Sequence, residues 1–307
     1  MNYRLEQLSM RYGKREALKD FTYSFGTGVY GLIGPNGAGK TTLMQLMAGV
    51  FRPATGRVFF DGEPYDTMSP RYAAHIGYLP QEIVMYPEFT VRQYLEYVAA
   101  LKNVKDPNQI DHFLALVNLS DRAKTRCGKL SGGMKRRLGI AQAVLGDPRV
   151  LILDEPTTGV DITERVKFRQ IISELSADRT VIYSTHTSED LELVAKEIIL
   201  MKKGAIVSAG PGAELLGDLV GKVWEIRLSA EEFRAAQQKR SDLLVANVAL
   251  DGEQCLTRIL CESKPFEGAR EVPATYEDLS LYIFSGAFPA AGVGTVQTSS
   301  EGCEEGR

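Results

Sequence analysis

Nine consecutive residues constrain this chain more than any others: Gly34, Pro35, Asn36, Gly37, Ala38, Gly39, Lys40, Thr41 and Thr42. Glycines at 34, 37 and 39 allow a tight loop whose backbone N–H groups converge on phosphate oxygens. Lys40 follows as a point charge for β- and γ-phosphates, and the Thr41 hydroxyl is placed to ligate Mg²⁺. The flanks agree with this reading. Gly28–Ile33 reads as a buried strand feeding the loop, and Thr41–Ala48 as the helix leaving it, its positive N-terminal end toward the phosphates. The pattern predicts a nucleoside triphosphate held on a strand–loop–helix unit.

The 307 residues suffice for one large nucleotide-binding domain and a smaller appendix. A net charge of −3 gives no electrostatic footprint for nonspecific nucleic-acid binding. The local basic run of Lys129, Lys135, Arg136 and Arg137 reads as a solvated helix face. No apolar run approaches the ~18–20 residues of a membrane-spanning helix, and the N-terminus lacks the layout of a signal peptide. Cys127, Cys255, Cys261 and Cys303 are scattered and form no Cys-x-x-Cys pair, so they read as reduced thiols of a cytosolic protein.

Strand character at 3–9, 18–25 and 57–61, with turn signals between, predicts a small antiparallel layer around the loop. Residues 75–80 read as a further strand. From Thr90 the apolar period becomes helical, through 91–101 and 110–117, and a third helix follows Ser131. Arg149–Leu153 and Thr180–Ser184 are apolar or β-branched runs suited to parallel strands, with a crossover helix over Thr163–Ser176 and a closing hairpin at 198–208. The expected fold is therefore an α/β core over 1–215, interrupted by an all-helical subdomain at about 85–145. Residues 216–286 read as a small α+β unit: a strand at Lys222–Leu228, a helix at Ala230–Arg240, strands at Leu243–Leu250 and Gln254–Cys261, and a helix at Tyr276–Ser285. The Gly-, Ser- and Glu-rich tail, 287–307, reads as disordered.

Two further motifs carry chemistry. The run from Arg149 to Pro156 is an apolar strand ending in acids, which places Asp154 at the sheet's carboxyl edge beside the loop, where it can hold Mg²⁺ through a water. Glu155, with its side chain on the other side of the strand, can orient or deprotonate an attacking water. Ser131, Gly132 and Gly133, in Leu130–Met134, open a helix and form a second anion-binding terminus. One triphosphate does not need two such sites in one chain, unless the second serves a nucleotide held by a partner subunit.

In these motifs residues 1–215 resemble the ATP-binding subunits of ATP-binding-cassette (ABC) transporters. GPNGAGKTT is similar to the Walker A motif, LILDEP to Walker B, and LSGGM to the signature LSGGQ, with Met134 where glutamine is usual. The resemblance implies a P-loop NTPase core with an antiparallel β layer and helical insertion, ATP and Mg²⁺ as ligands, and ATPase activity. It makes Gln81 the Q-loop glutamine that reaches Mg²⁺ or the attacking water, and Asp161 the D-loop aspartate that works across a dimer. His186 becomes the switch histidine on the γ-phosphate, and Tyr12 the aromatic that stacks on adenine. His75 and His112 match nothing.

The family mechanism would set two copies head to tail, the loop of one against Ser131, Gly132 and Gly133 of the other. Glu155 would activate water while Lys40 and His186 stabilise the transferring phosphoryl. The implied partners are a second cassette, as a homodimer, and an integral membrane permease holding the chain at the cytoplasmic face, with no nucleic acid. Pro273–Phe284 resembles the P-T-L-E-D-x-F ending of ATPases serving ABC-2-type drug, antibiotic or Na⁺ exporters, and LSGGMKRRL fits that branch, so export is expected. The alternative is a soluble ABC ATPase that remodels a macromolecular complex; such proteins are expected to carry two cassettes or a long heptad insertion, and neither is present. A regulatory module without turnover would not need Glu155 and His186, and a small-molecule kinase would lack LSGGM.

Overall fold

The computed structural model describes residues 2–185, 189–229, 231–232, 235, 243–251 and 254–286. The chain forms two compact units, Met1–Ile206 and Val207–Arg307, dividing ahead of the boundary expected at residue 215.

The first unit contains an antiparallel sheet of β1 (Tyr3–Tyr12), β2 (Arg15–Phe25), β4 (Thr55–Phe60) and β5 (Glu63–Tyr65), in the order β2-β1-β4-β5. The first two strands run longer than the alternation predicts, because their register shifts between Leu5 and Leu8 and twice more before Arg11. Gln7 takes φ 49 at the first shift, so the buried set runs Tyr3, Leu5, Leu8 and breaks the period of two.

The second sheet, β10-β9-β3-β8-β7-β6, contains β3 (Gly28–Ile33), β6 (Ile76–Leu79), β7 (Val150–Asp154), β8 (Thr180–Ser184), β9 (Glu197–Lys202) and β10 (Ala205–Gly210). Strands β6, β7, β8, β3 and β9 pair in parallel. Every residue of β7 and β8 is buried, as strands covered on both faces require, which is why they read as continuous apolar runs. The register opposes Asp154 to Ser184 and Leu32 to Ser184, so the carboxyl ends of β7, β8 and β3 meet where the loop departs. Rings of Tyr23 and Phe25 in β2 pack on Tyr30 in β3, with centroids 6.3 and 5.1 Å apart, and so join the two sheets.

The helices of this unit are α1 (Lys40–Met47), α2 (Pro70–Ala73), α3 (Val91–Leu101), α4 (Asn108–Leu116), α5 (Gly132–Val144), α6 (Ile162–Leu175) and α7 (Glu189–Glu192). A capping box of Thr90 and Gln93 starts α3, which buries Val91, Tyr94, Leu95 and Val98 at helical spacing. Lys102, just past α3, donates to the carbonyls of Gln142, Ala143 and Leu145 at 2.9–3.0 Å and so caps the end of α5. Burial of its ammonium pushes it down to about 8. Among the described residues no helix is long and apolar enough to cross a membrane.

The second unit has α8 (Gly212–Gly217) and an antiparallel sheet, β12-β13-β11-β14, of β11 (Val223–Ser229), β12 (Leu244–Asp251), β13 (Gln254–Leu260) and β14 (Arg270–Glu271), then α9 (Tyr276–Ser285). Thr275 and Asp278 form a capping box at the start of α9. The same Asp278, fully buried, accepts from Arg258 Nη2 at 2.7 Å, and Arg258 Nη1 donates to Glu225 at 3.0 Å. The threonine and aspartate of the Pro273–Phe284 ending thus start a helix and pin it to β13. Most of the helix expected at Ala230–Arg240, and the tail 287–307, lie outside the described residues.

Candidate functional site

Strand β3 delivers Gly34 to the sheet's carboxyl edge, where a Cβ would lie 2.4 Å from the Met201 carbonyl oxygen of β9, so only glycine fits. Gly39 takes φ 104, and a Cβ there would meet the Ala17 carbonyl at 2.6 Å. The Lys40 ammonium, buried, donates to the Gly34 carbonyl at 2.6 Å. Burial lowers its pKa, and the nearby carboxylates of Glu155 and Asp154 oppose that shift.

A cavity of about 340 Å³ opens on the loop, lined by Tyr12, Arg15, Ala17, Asn36, Gly37, Ala38, Gly39, Lys40, Thr41, Thr42, Gln81 and Glu155. The structure thus brings Tyr12 and Gln81 to the cavity on the loop. Tyr12 is 44% exposed and meets Phe51 edge-on, with ring centroids 6.4 Å apart at 81°. Arg15 and Ala17 had no sequence signal; the β1–β2 hairpin carries them there.

Asp154 ends β7 and is 1% exposed. Its Oδ1 accepts from Ser184 Oγ at 2.7 Å, and its Oδ2 is buried without a hydrogen-bond partner among the described residues. Burial raises its pKa, and the hydroxyls of Ser184 and Thr41 oppose the rise. Glu155 was expected on the far side of the strand. It lies instead one residue past the strand's end, in left-handed backbone at φ 46. Its N–H donates to Ser184 Oγ at 2.9 Å, and its Oε2 accepts from Gln81 Nε2 at 3.2 Å and Thr158 Oγ1 at 3.1 Å. Ser184 therefore positions both acids, a role that sequence reading missed; the only trace was a polar residue closing an apolar strand. His186 lies outside the described residues.

An orphaned carboxylate oxygen next to a threonine hydroxyl offers hard oxygen donors, the set that suits Mg²⁺. On this ground Asp154 and Thr41 fit that ion.

Ser131, Gly132, Gly133 and Asp161 do not line this cavity. Ser131 caps α5 by accepting from the Met134 N–H at 3.2 Å, and Asp161 caps α6 by accepting from the Glu164 N–H at 2.9 Å. Ser131 and Gly132 are exposed, and a Cβ on Gly132 would meet nothing within 4 Å among the described residues, so their packing does not demand glycine there.

The basic run is not the solvated face that its composition suggested. Arg136 Nη1 donates to the Gln81 carbonyl at 2.6 Å. Arg137 is 5% exposed, with its Nη1 on the carbonyls of Val117 and Asn118 at 2.7 and 2.8 Å. Both partners are distant in sequence, so no local pattern announces them.

A family model for ABC transporters matches residues 18–158. An uncharacterised ABC transporter ATP-binding protein of Bacillus subtilis, YxlF, is 37% identical over 215 residues, covering 69% of this chain and 71% of that protein. The Nod factor export ATP-binding protein I of Burkholderia orbicola is 33% identical, covering 69% and 71%. Among solved structures, cbiO1 from Clostridium perfringens, part of the ABC transporter complex cbiONQ, is 28% identical with a TM-score of 0.63, covering 70% of this chain and 90% of that one. With a phosphate loop and strand-end acids at one sheet edge, and with these relatives, the chain belongs to the ABC transporter ATP-binding proteins and is an ABC transporter ATPase.

Proposed function

We propose that two copies of this chain close head to tail on ATP and drive a separate membrane permease in export. One observation carries the head-to-tail part: Ser131 and Gly132 are exposed, lie outside their own chain's loop cavity, and include a glycine that packing does not require. An N-capped helix start of that kind suits a phosphate brought by another chain.

Within each site the loop N–H groups and Lys40 bind the triphosphate, Tyr12 stacks on adenine, and Thr41, Gln81 and Asp154 hold Mg²⁺. The ion, when bound, neutralises phosphate charge. Gln81 and Thr158 hold the Glu155 carboxylate, which accepts a proton from the attacking water, while Lys40 and His186 stabilise charge on the phosphoryl group. Across the interface Ser131, Gly132, Gly133 and Asp161 complete the site.

For the permease, support comes from an aromatic patch that follows Gln81. Tyr86, Phe89 and Tyr97 contact one another with ring centroids 5.2–6.0 Å apart, and Val84, two residues before Tyr86 in sequence, is 87% exposed. Exposed apolar surface of this kind marks a docking face. The name of the Nod factor export relative and the Pro273–Phe284 ending favour export. The permease would hold the chain on the cytoplasmic face of the membrane.

The deciding experiment is affinity capture of the chain from native membranes. Recovery of a multispan protein, lost when Tyr86 and Tyr97 are both replaced by aspartate, is the expected result; capture of only water-soluble partners would favour remodelling of a macromolecular complex.

A further inference from the structure

Glu164 lies one turn into α6 and reaches across to α5. Its Oε2 accepts from Arg137 Nε at 2.9 Å and its Oε1 from Lys167 Nζ at 2.7 Å. The side chains of Arg137 and Glu164 are only 6% and 15% exposed. Arg137 also donates to the Val117 and Asn118 carbonyls beyond α4, so its planar fork is held at several points. Two contacts join this pair to the motifs proposed to work across the dimer. The Glu164 N–H is the group that Asp161 caps, at 2.9 Å. A Cβ on Gly133 would fall 2.9 Å from both Cγ and Oε2 of Glu164, so the signature backbone rests directly on that carboxylate.

Asp161 and Ser131–Gly133 belong to different parts of the unit. Asp161 starts a helix that follows strand β7 of the parallel sheet, whereas Ser131 starts the last helix of the helical insertion. A buried ion pair contributes little net stability but fixes geometry strictly, because removing either partner strands the other charge. We propose that Arg137 and Glu164 are positioning residues that lock Ser131–Gly133 and Asp161 into one block, so that both motifs reach the partner's nucleotide together. This rests on the head-to-tail reading.

The test uses the full chain carrying Glu155→Gln, which slows hydrolysis, and follows dimer formation by light scattering as ATP is raised. Single-chain nucleotide binding is measured with ADP. Adding Glu164→Gln is expected to raise the ATP concentration for half-dimerisation about tenfold while ADP affinity stays within about twofold. Arg137→Lys keeps a cation but loses the planar fork that Glu164 and the Val117 and Asn118 carbonyls hold, and is expected to shift dimerisation the same way. Unchanged dimerisation in either variant would overturn the proposal. If Glu164→Gln loses ADP binding, and so its fold, Glu164→Asp takes its place, with the same shift expected and no shift overturning it. A parent that fails to dimerise on ATP would remove the head-to-tail reading itself, and this inference with it.

Discussion

Asp154 and Glu155 are neighbours in sequence, yet a hydroxyl from another strand keeps both in place. Ser184 Oγ donates to one acid and accepts from the backbone of the next, so it bridges the ends of β7 and β8. Replacing it by alanine leaves the Asp154 Oδ1 and the Glu155 N–H short of a partner in a nearly dry setting, at a cost of about 1–3 kcal/mol. Ser184→Ala should therefore lower the melting temperature. Its turnover should fall further than stability alone explains, by ~100-fold, because the proposed water-activating carboxylate is no longer aimed. Ser184→Thr keeps the hydroxyl and should retain most activity. Steady-state ATPase assays beside thermal melts decide this, and full activity in the alanine variant would show that Ser184 does not position the acids.

Helix α5 turns the same logic into a connection between distant segments. Gly139 lets it lie close to the segment around Gln81, since a Cβ there would meet Leu79 Cδ1 at 2.6 Å and Ile83 Cδ1 at 2.9 Å. Three residues earlier, Arg136 holds the Gln81 carbonyl, and the Gln81 side chain holds Glu155. Arg136→Ala should lower kcat about tenfold, as expected when the proposed proton-accepting carboxylate loses its aim, with ADP affinity unchanged; an equal loss of ADP binding would place Arg136 in nucleotide binding instead. This helix also shows what the sequence could reveal. Its start was legible because Ser131 is a capping residue ahead of an apolar period. Helix α9 was legible to the residue, since a capping box at Thr275 and a glycine at 286 mark both ends. The β1–β2 bulges and the four-residue α2 were not, because shifted register and a single turn leave no period to detect. At the site, the loop and strand-end acids were read from type and spacing. Ser184, Arg15 and Arg136 were missed because their roles depend on partners brought close only by folding.

The two compact units give the molecule two separate reporters. ATP binds the unit that carries the loop, and at about 100 times its dissociation constant should stabilise that unit by about 2.7 kcal/mol. Calorimetry with and without ATP should show one transition rising and one unmoved. The unmoved transition should be the one that drops in Asp278→Asn, which weakens the buried pair with Arg258, the kind of loss that costs about 3–5 kcal/mol when complete. If ATP moved both transitions equally, the units would be unfolding as one.

The left-handed backbone at Glu155 bears on how such a chain ages as a gene. A residue with a Cβ loses roughly 1–2 kcal/mol in that conformation, whereas glycine adopts it freely and asparagine tolerates it. In a lineage that no longer needs hydrolysis, replacement by either would be favoured for stability alone. On the water-activating role proposed above, glutamate at that point persists under selection for turnover, so among descendants of this gene it should be among the first positions to drift once the work stops.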